Sequence, residues 1–117
     1  MKKMIAALLV VAVGLGVNTA TAAFFSGNDL QDMCGKGSYV CTGYIMGVGD
    51  AEMTRLKRAT GDQCVPETAT GGQLQKIVEK WLDENPQHLH HEANLLITNA
   101  IIDAFNCDTG QRWVLDN

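Results

Sequence analysis

Four cysteines constrain this chain more than any other feature. Cys34, Cys41, Cys64 and Cys107 all lie downstream of an apolar N-terminal run. That run has the anatomy of a secretion signal. Lys2 and Lys3 give a positive start, Met4 to Val17 is apolar or glycine throughout, and Ala20-Thr21-Ala22 fits a small-x-small cleavage site. The run is shorter than the roughly 20 residues that span a bilayer, and no basic stop-transfer cluster follows it. The expectation is cleavage of residues 1–22, after Ala22 or alternatively after Ala23, leaving 23–117 as one exported domain with no membrane segment. In an exported chain this small, an even cysteine count reads as two disulfides, because a short chain buries too little apolar surface to be secure without staples.

Charge narrows the partners. Loss of Lys2 and Lys3 takes the formal charge from −4 to −6. An acidic domain without clustered Lys and Arg is a poor match for nucleic acid or an anionic membrane surface. No linker, repeat or low-complexity tract divides residues 23–117, so the expectation is a single all-α domain: a small disulfide-stapled bundle of about four helices.

The first helix is short. Asn28 and Gln31 have capping-box spacing, Leu30, Met33 and Cys34 share a side, and Gly35 and Gly37 end it. The second is expected over about Tyr39–Arg58, with Tyr44, Ile45, Val48 and Leu56 as its apolar stripe. Gly43 and Gly47 stand one turn apart and make a smooth patch, read as internal packing rather than as a partner's contact. The third is the clearest. Thr70 and Gln73 form a capping box, and Leu74, Ile77, Val78, Trp81 and Leu82 follow the spacing of one buried face. Lys76, Glu79, Lys80 and Asp83 take the opposite face. The fourth is expected to begin at Asn85-Pro86, an N-cap followed by proline at the first helical position, and to end near Asn106-Cys107. Gln111 to Leu115 reads as a short extended tail with no assigned place.

Helices that alternate direction put Cys34 and Cys41 at one end and Cys64 and Cys107 at the other. The second helix would hold Cys41 and Cys64 roughly 25–30 Å apart at 1.5 Å per residue, far beyond disulfide reach. Of the three connectivities that four cysteines allow, Cys34–Cys41 with Cys64–Cys107 is therefore the expected one.

Little here suggests chemistry. His88, His90, His91 and Glu92 form His-Leu-His-His-Glu. On a continuous helix His88 would share a face with His91 and Glu92, as zinc ligands do, but the spacing is not that of a zinc hydrolase. A polar first turn explains them as well, and no metal or cofactor is assigned. Cysteines in disulfides supply no thiolate nucleophile. Ser26 and Ser38 are the only serines, and both look like helix-start residues. The chain reads as a binding or structural module, not an enzyme.

One pattern goes further. Phe25-Ser26-Gly27-Asn28-Asp29-Leu30, then Cys34, then the run from Cys41 through Gly43-Tyr44-Ile45, Gly47 and Asp50-Ala51 are followed by Cys64-Val65-Pro66, by Gln73 to Val78, by Leu82 with Asn85-Pro86, and by Ala104-Phe105-Asn106-Cys107. This pattern resembles the Rap/Tai family of immunity proteins, which protect bacteria against type VI secretion amidase effectors. Asn106, where similar sequences tend to carry proline, and the additional Gly49 depart from it. The resemblance implies a periplasmic homodimer whose partner is a peptidoglycan-cleaving cysteine amidase, blocked at its active site. The motif residues look structural, so the candidate partner-binding residues lie elsewhere, on the exposed face of the third helix and its corner: Lys76, Glu79, Lys80, Asp83, Glu84, Gln87 and His88. The competing reading is a small periplasmic acid-stress chaperone or general binding module, with the three histidines as a pH trigger.

Overall fold

Ser26 starts the folded body. The computed structural model describes residues 24–107 and 111–116, so the expected signal peptide and both cleavage positions lie outside the described residues. The Ser26 hydroxyl accepts from the Asp29 backbone N–H, and the Asp29 carboxylate accepts from the Ser26 N–H, which makes a reciprocal capping box. These bonds hold the Asp29 carboxyl below the usual carboxylate range. The expected Asn28–Gln31 box is therefore corrected: it sits two residues too late. The Asn28 N–H bonds the Leu89 carbonyl, and the Gln31 side chain donates to Asp83. The helix that follows, α1, covers Gly27–Gly35, and its next turn needs the positive φ of Gly37.

Ser38 caps the second helix, α2, which covers Tyr39–Thr60 and stops at Gly61 in the left-handed region. Its buried line is Cys41, Ile45, Gly49 and Leu56, with Tyr44 and Val48 half-buried. The internal-packing reading of Gly43 and Gly47 is overturned. Both are exposed, and a Cβ added to either would meet nothing within 4 Å. Gly49 is the glycine that packs: its Cβ position lies 3.4 Å from Leu74 and 3.9 Å from Ile101, so it lets α2 approach both later helices.

The third helix, α3, covers Gly71–Glu84 with the Thr70–Gln73 capping box in place and Leu74, Val78, Trp81 and Leu82 buried. The start of the fourth helix is a second correction. Asn85-Pro86 opens only a single 3-10 turn, Pro86–His88, and the helix proper, α4, covers Ala93–Phe105. The reason is tertiary. The first turn of α1 has backbone N–H groups with no partner inside the helix. Gly27 and Asn28 donate theirs to the carbonyls of His91 and Leu89, each at 2.9 Å, and the Ala93 N–H bonds the Phe25 carbonyl. The Ala93 N–H spent on Phe25 is unavailable to the Leu89 carbonyl, which breaks the i to i−4 ladder that a continuous helix through residues 86–93 would need. His88, His91 and Glu92 consequently do not share a helical face.

The result is an all-α bundle. Among the described residues its only β feature is the isolated Ser26–Glu92 bridge. The core joins Leu30, Ile45, Leu56, Val78, Leu82, Leu96, Ile97 and Ile101, all nearly or wholly shut off from solvent. Disulfides join Cys34 to Cys41 across the α1–α2 corner and Cys64 to Cys107, which ties the loop before α3 to the end of α4.

Gly27 is where the α1–corner contact is tightest. A Cβ there would lie 2.4 Å from Leu96 Cδ1 and 2.9 Å from the Leu89 carbonyl oxygen. Leu96 is fully buried and has no room to yield. Gly27→Ala is expected to cost about 1–3 kcal/mol as overpacking, read as a lower urea midpoint with an unchanged m-value.

Candidate functional site

The outward side of α3 has two flanks. Glu79 and Asp83 face α1, where they line a groove with Gln31, Cys34, Gly35 and Leu82. Lys80 and Glu84 face α4 and pair at 3.7 Å. Both members of that pair are well exposed, so the pair itself adds little stability. They line a second groove, of about 340 Å³, with Ile77, Trp81, Ala100, Asp103 and Ala104. Lys76 is exposed and bounds neither groove. At the corner Gln87 is exposed, while His88 is half-buried and stacked on Trp81 with ring centroids 6.3 Å apart. The seven residues singled out from sequence thus form one continuous side of the molecule but do not converge on a point.

The arrangement offers surface rather than chemistry. The His90 and His91 rings lie 4.1 Å apart and His88 lies 5.8 Å from His91. Among the described residues the one trio of ligand-type atoms close enough to share an ion is Cys34, Cys41 and Glu79. Its two sulfurs are joined to each other, so neither is a thiolate able to bind a metal. Nearby, Tyr44 packs edge-on against Phe25, and burial, with Glu92 adding to it, pushes the Tyr44 phenol above its usual pKa.

The sequence reading missed the tail that joins the α4 groove. Asn99 is almost wholly buried among the apolar residues of α4. A buried amide needs partners, and Asn99 finds them in the tail. Its Oδ1 accepts the Trp113 backbone N–H, and its Nδ2 donates to the Trp113 carbonyl, each at 2.9 Å. Asp103 accepts from Trp81 Nε1 at 2.8 Å and also pairs with Arg112. Arg55 of α2 donates to the Gln111 side chain and lies 5.7 Å from the Trp113 ring centroid. The His91 Nε2–H donates to the Asp116 carbonyl. The extended tail is therefore fastened to α2, α4 and the corner. Ordering its backbone costs roughly 1–2 kcal/mol per residue, which these contacts, with the half-buried Leu115, offset. The signal in sequence was Asn99 itself, one polar residue in the apolar stripe of the fourth helix.

No helix among the described residues is long and apolar enough to cross a membrane. No curated protein and no solved structure gives a match to the chain. A family model does: the Rap1a immunity proteins match residues 26–107, which spans every helix from the Ser26 cap to the last cysteine and includes both disulfides. With that match covering well over half of its 117 residues, the chain belongs to the Rap1a immunity protein family.

Proposed function

We propose that this protein is a periplasmic inhibitor of a type VI secretion amidase: it binds a peptidoglycan-cleaving cysteine enzyme and covers its active site. Membership of the Rap1a family supports an immunity role against a secreted effector, carried out in this reading by binding. The observation that carries the proposal is the family match over residues 26–107, joined to an exposed, polar α3 side. Signal cleavage after Ala22 would deliver residues 23–117 to the compartment where peptidoglycan is cut and where disulfides persist. A homodimer is part of the same reading.

The contact surface is the α3 side and its corner: Lys76, Glu79, Lys80, Asp83, Glu84, Gln87 and His88. Physically an occluding inhibitor covers about 800 Å² of its target, with a buried anchor and a polar rim. The α3 residues suit the rim: they are charged and mostly exposed, and Lys80 pairs with Glu84. The test is calorimetric titration of the oxidised domain, residues 23–117, into purified type VI peptidoglycan cysteine amidases, beginning with any that is encoded beside its gene. A saturable heat with sub-micromolar affinity is expected for one of them. Absence of binding to any, together with no protection of cells given periplasm-targeted copies of those amidases, would remove the proposal.

A further inference from the structure

The α3 rim lacks an anchor, and the tail supplies one. We infer that Trp113, with Val114 and Arg112 beside it, is the anchor of the effector contact, joined through the Arg112–Asp103 pair to the α3–α4 groove that Lys80 and Glu84 border. This rests on the proposed effector binding and adds the residue that would dominate it.

Three observations carry the inference. First, the main chain of the tail is held by bonds that do not involve the indole. Both hydrogen bonds from the buried Asn99 go to backbone atoms of Trp113, and that from His91 goes to the Asp116 carbonyl. Second, the tail divides its apolar side chains: Leu115 packs against the core, while Trp113 is 43% exposed and Val114 is 88% exposed. Third, the anchor is continuous with the α3 surface. Asp103 lines the groove that Lys80 and Glu84 border, and the same carboxylate holds Arg112, the residue before Trp113.

Tryptophan and arginine are the residue types that most often dominate protein interfaces, and a rigid backbone spares the ordering cost at the moment of binding. The guanidinium of Arg55 over the indole ring restricts the ring further. The partner chemistry follows: a folded enzyme surface with an apolar socket for the indole and a carboxylate beside it for the donors of Arg112 that point away from Asp103.

Substitutions separate this anchor from the fold. Trp113→Ala and Val114→Ala remove outward side chains and leave the main-chain bonds in place. Asn99→Leu keeps the indole but releases the tail, which hydrogen exchange should show as lost protection over residues 111–116. Against the amidase bound in that titration, Trp113→Ala is expected to weaken binding about thirtyfold or more, and Asn99→Leu about tenfold, mainly through slower association. Trp113→Phe should recover most of the loss. If the unaltered chain binds the amidase but Trp113→Ala binds within twofold of it, with an unchanged melting curve, the anchor is overturned and the effector reading stands. If the unaltered chain does not bind, both fall together.

Discussion

Replacing Cys64 and Cys107 together by alanine is expected to remove about 4 kcal/mol of stability. The bond joins residues separated by 43 positions. In the chain-entropy model, closing a loop of that length restricts the unfolded ensemble by about 4 kcal/mol, whereas the seven-residue separation of Cys34 and Cys41 gives about 2.5 kcal/mol. A small domain has only about 5–15 kcal/mol in hand. The long staple also secures a part of the fold that little else holds: among residues 61–69 the sole buried side chain is Val65. The double variant should melt on the order of 15–30 °C lower, since each kcal/mol moves a domain of this size by about 4–8 °C. Loss of protection in cells should then follow from lower abundance, and a purified sample below its melting range should still bind. Scanning calorimetry of the oxidised protein and the double variant checks this. A shift of only a few degrees would show that the loop is ordered without the bond.

The second large effect belongs to Trp81. Its ring is 9% exposed between α3 and α4, stacks with His88, and gives its Nε1–H to Asp103, which also holds Arg112. Trp81→Ala should cost about 3–5 kcal/mol, through lost transfer energy and the cavity left behind. Trp81→Phe keeps most of the ring and loses the hydrogen bond, for about 1 kcal/mol. Chemical denaturation of the three proteins measures both. Equal losses in the two variants would mean that the bond to Asp103, not packing, is what Trp81 contributes.

Where sequence reading succeeded, the information was local. The Thr70–Gln73 box and the Leu74-to-Leu82 spacing place α3 because a cap and one buried face lie within fifteen residues of each other. Ser26 and Ser38 stand at helix starts for the same reason. The failures share a different cause. Asn85-Pro86 is a sound local start, and only Phe25, some sixty positions earlier, takes up the Ala93 N–H that a continuous helix would need. Gly43, Gly47 and Gly49 look alike in sequence, and nothing local tells which of them faces α3 and α4. The seven α3-side residues were legible as a polar face, but the tail joined to the groove was not. Its placement depends on Asn99, whose partner is the backbone of a segment with no periodicity of its own.

The central claim is that this immunity protein stops an amidase by occupying its active site. The most direct measurement is turnover of a peptidoglycan stem peptide by the amidase it binds while the oxidised domain is added. The expected result is a steep fall in rate that reaches zero near equimolar protein when the enzyme is held well above the dissociation constant, and that excess stem peptide relieves at lower enzyme concentration, as competition for one site requires. Undiminished turnover in the presence of a large excess of the domain, with a complex nonetheless formed, would contradict it.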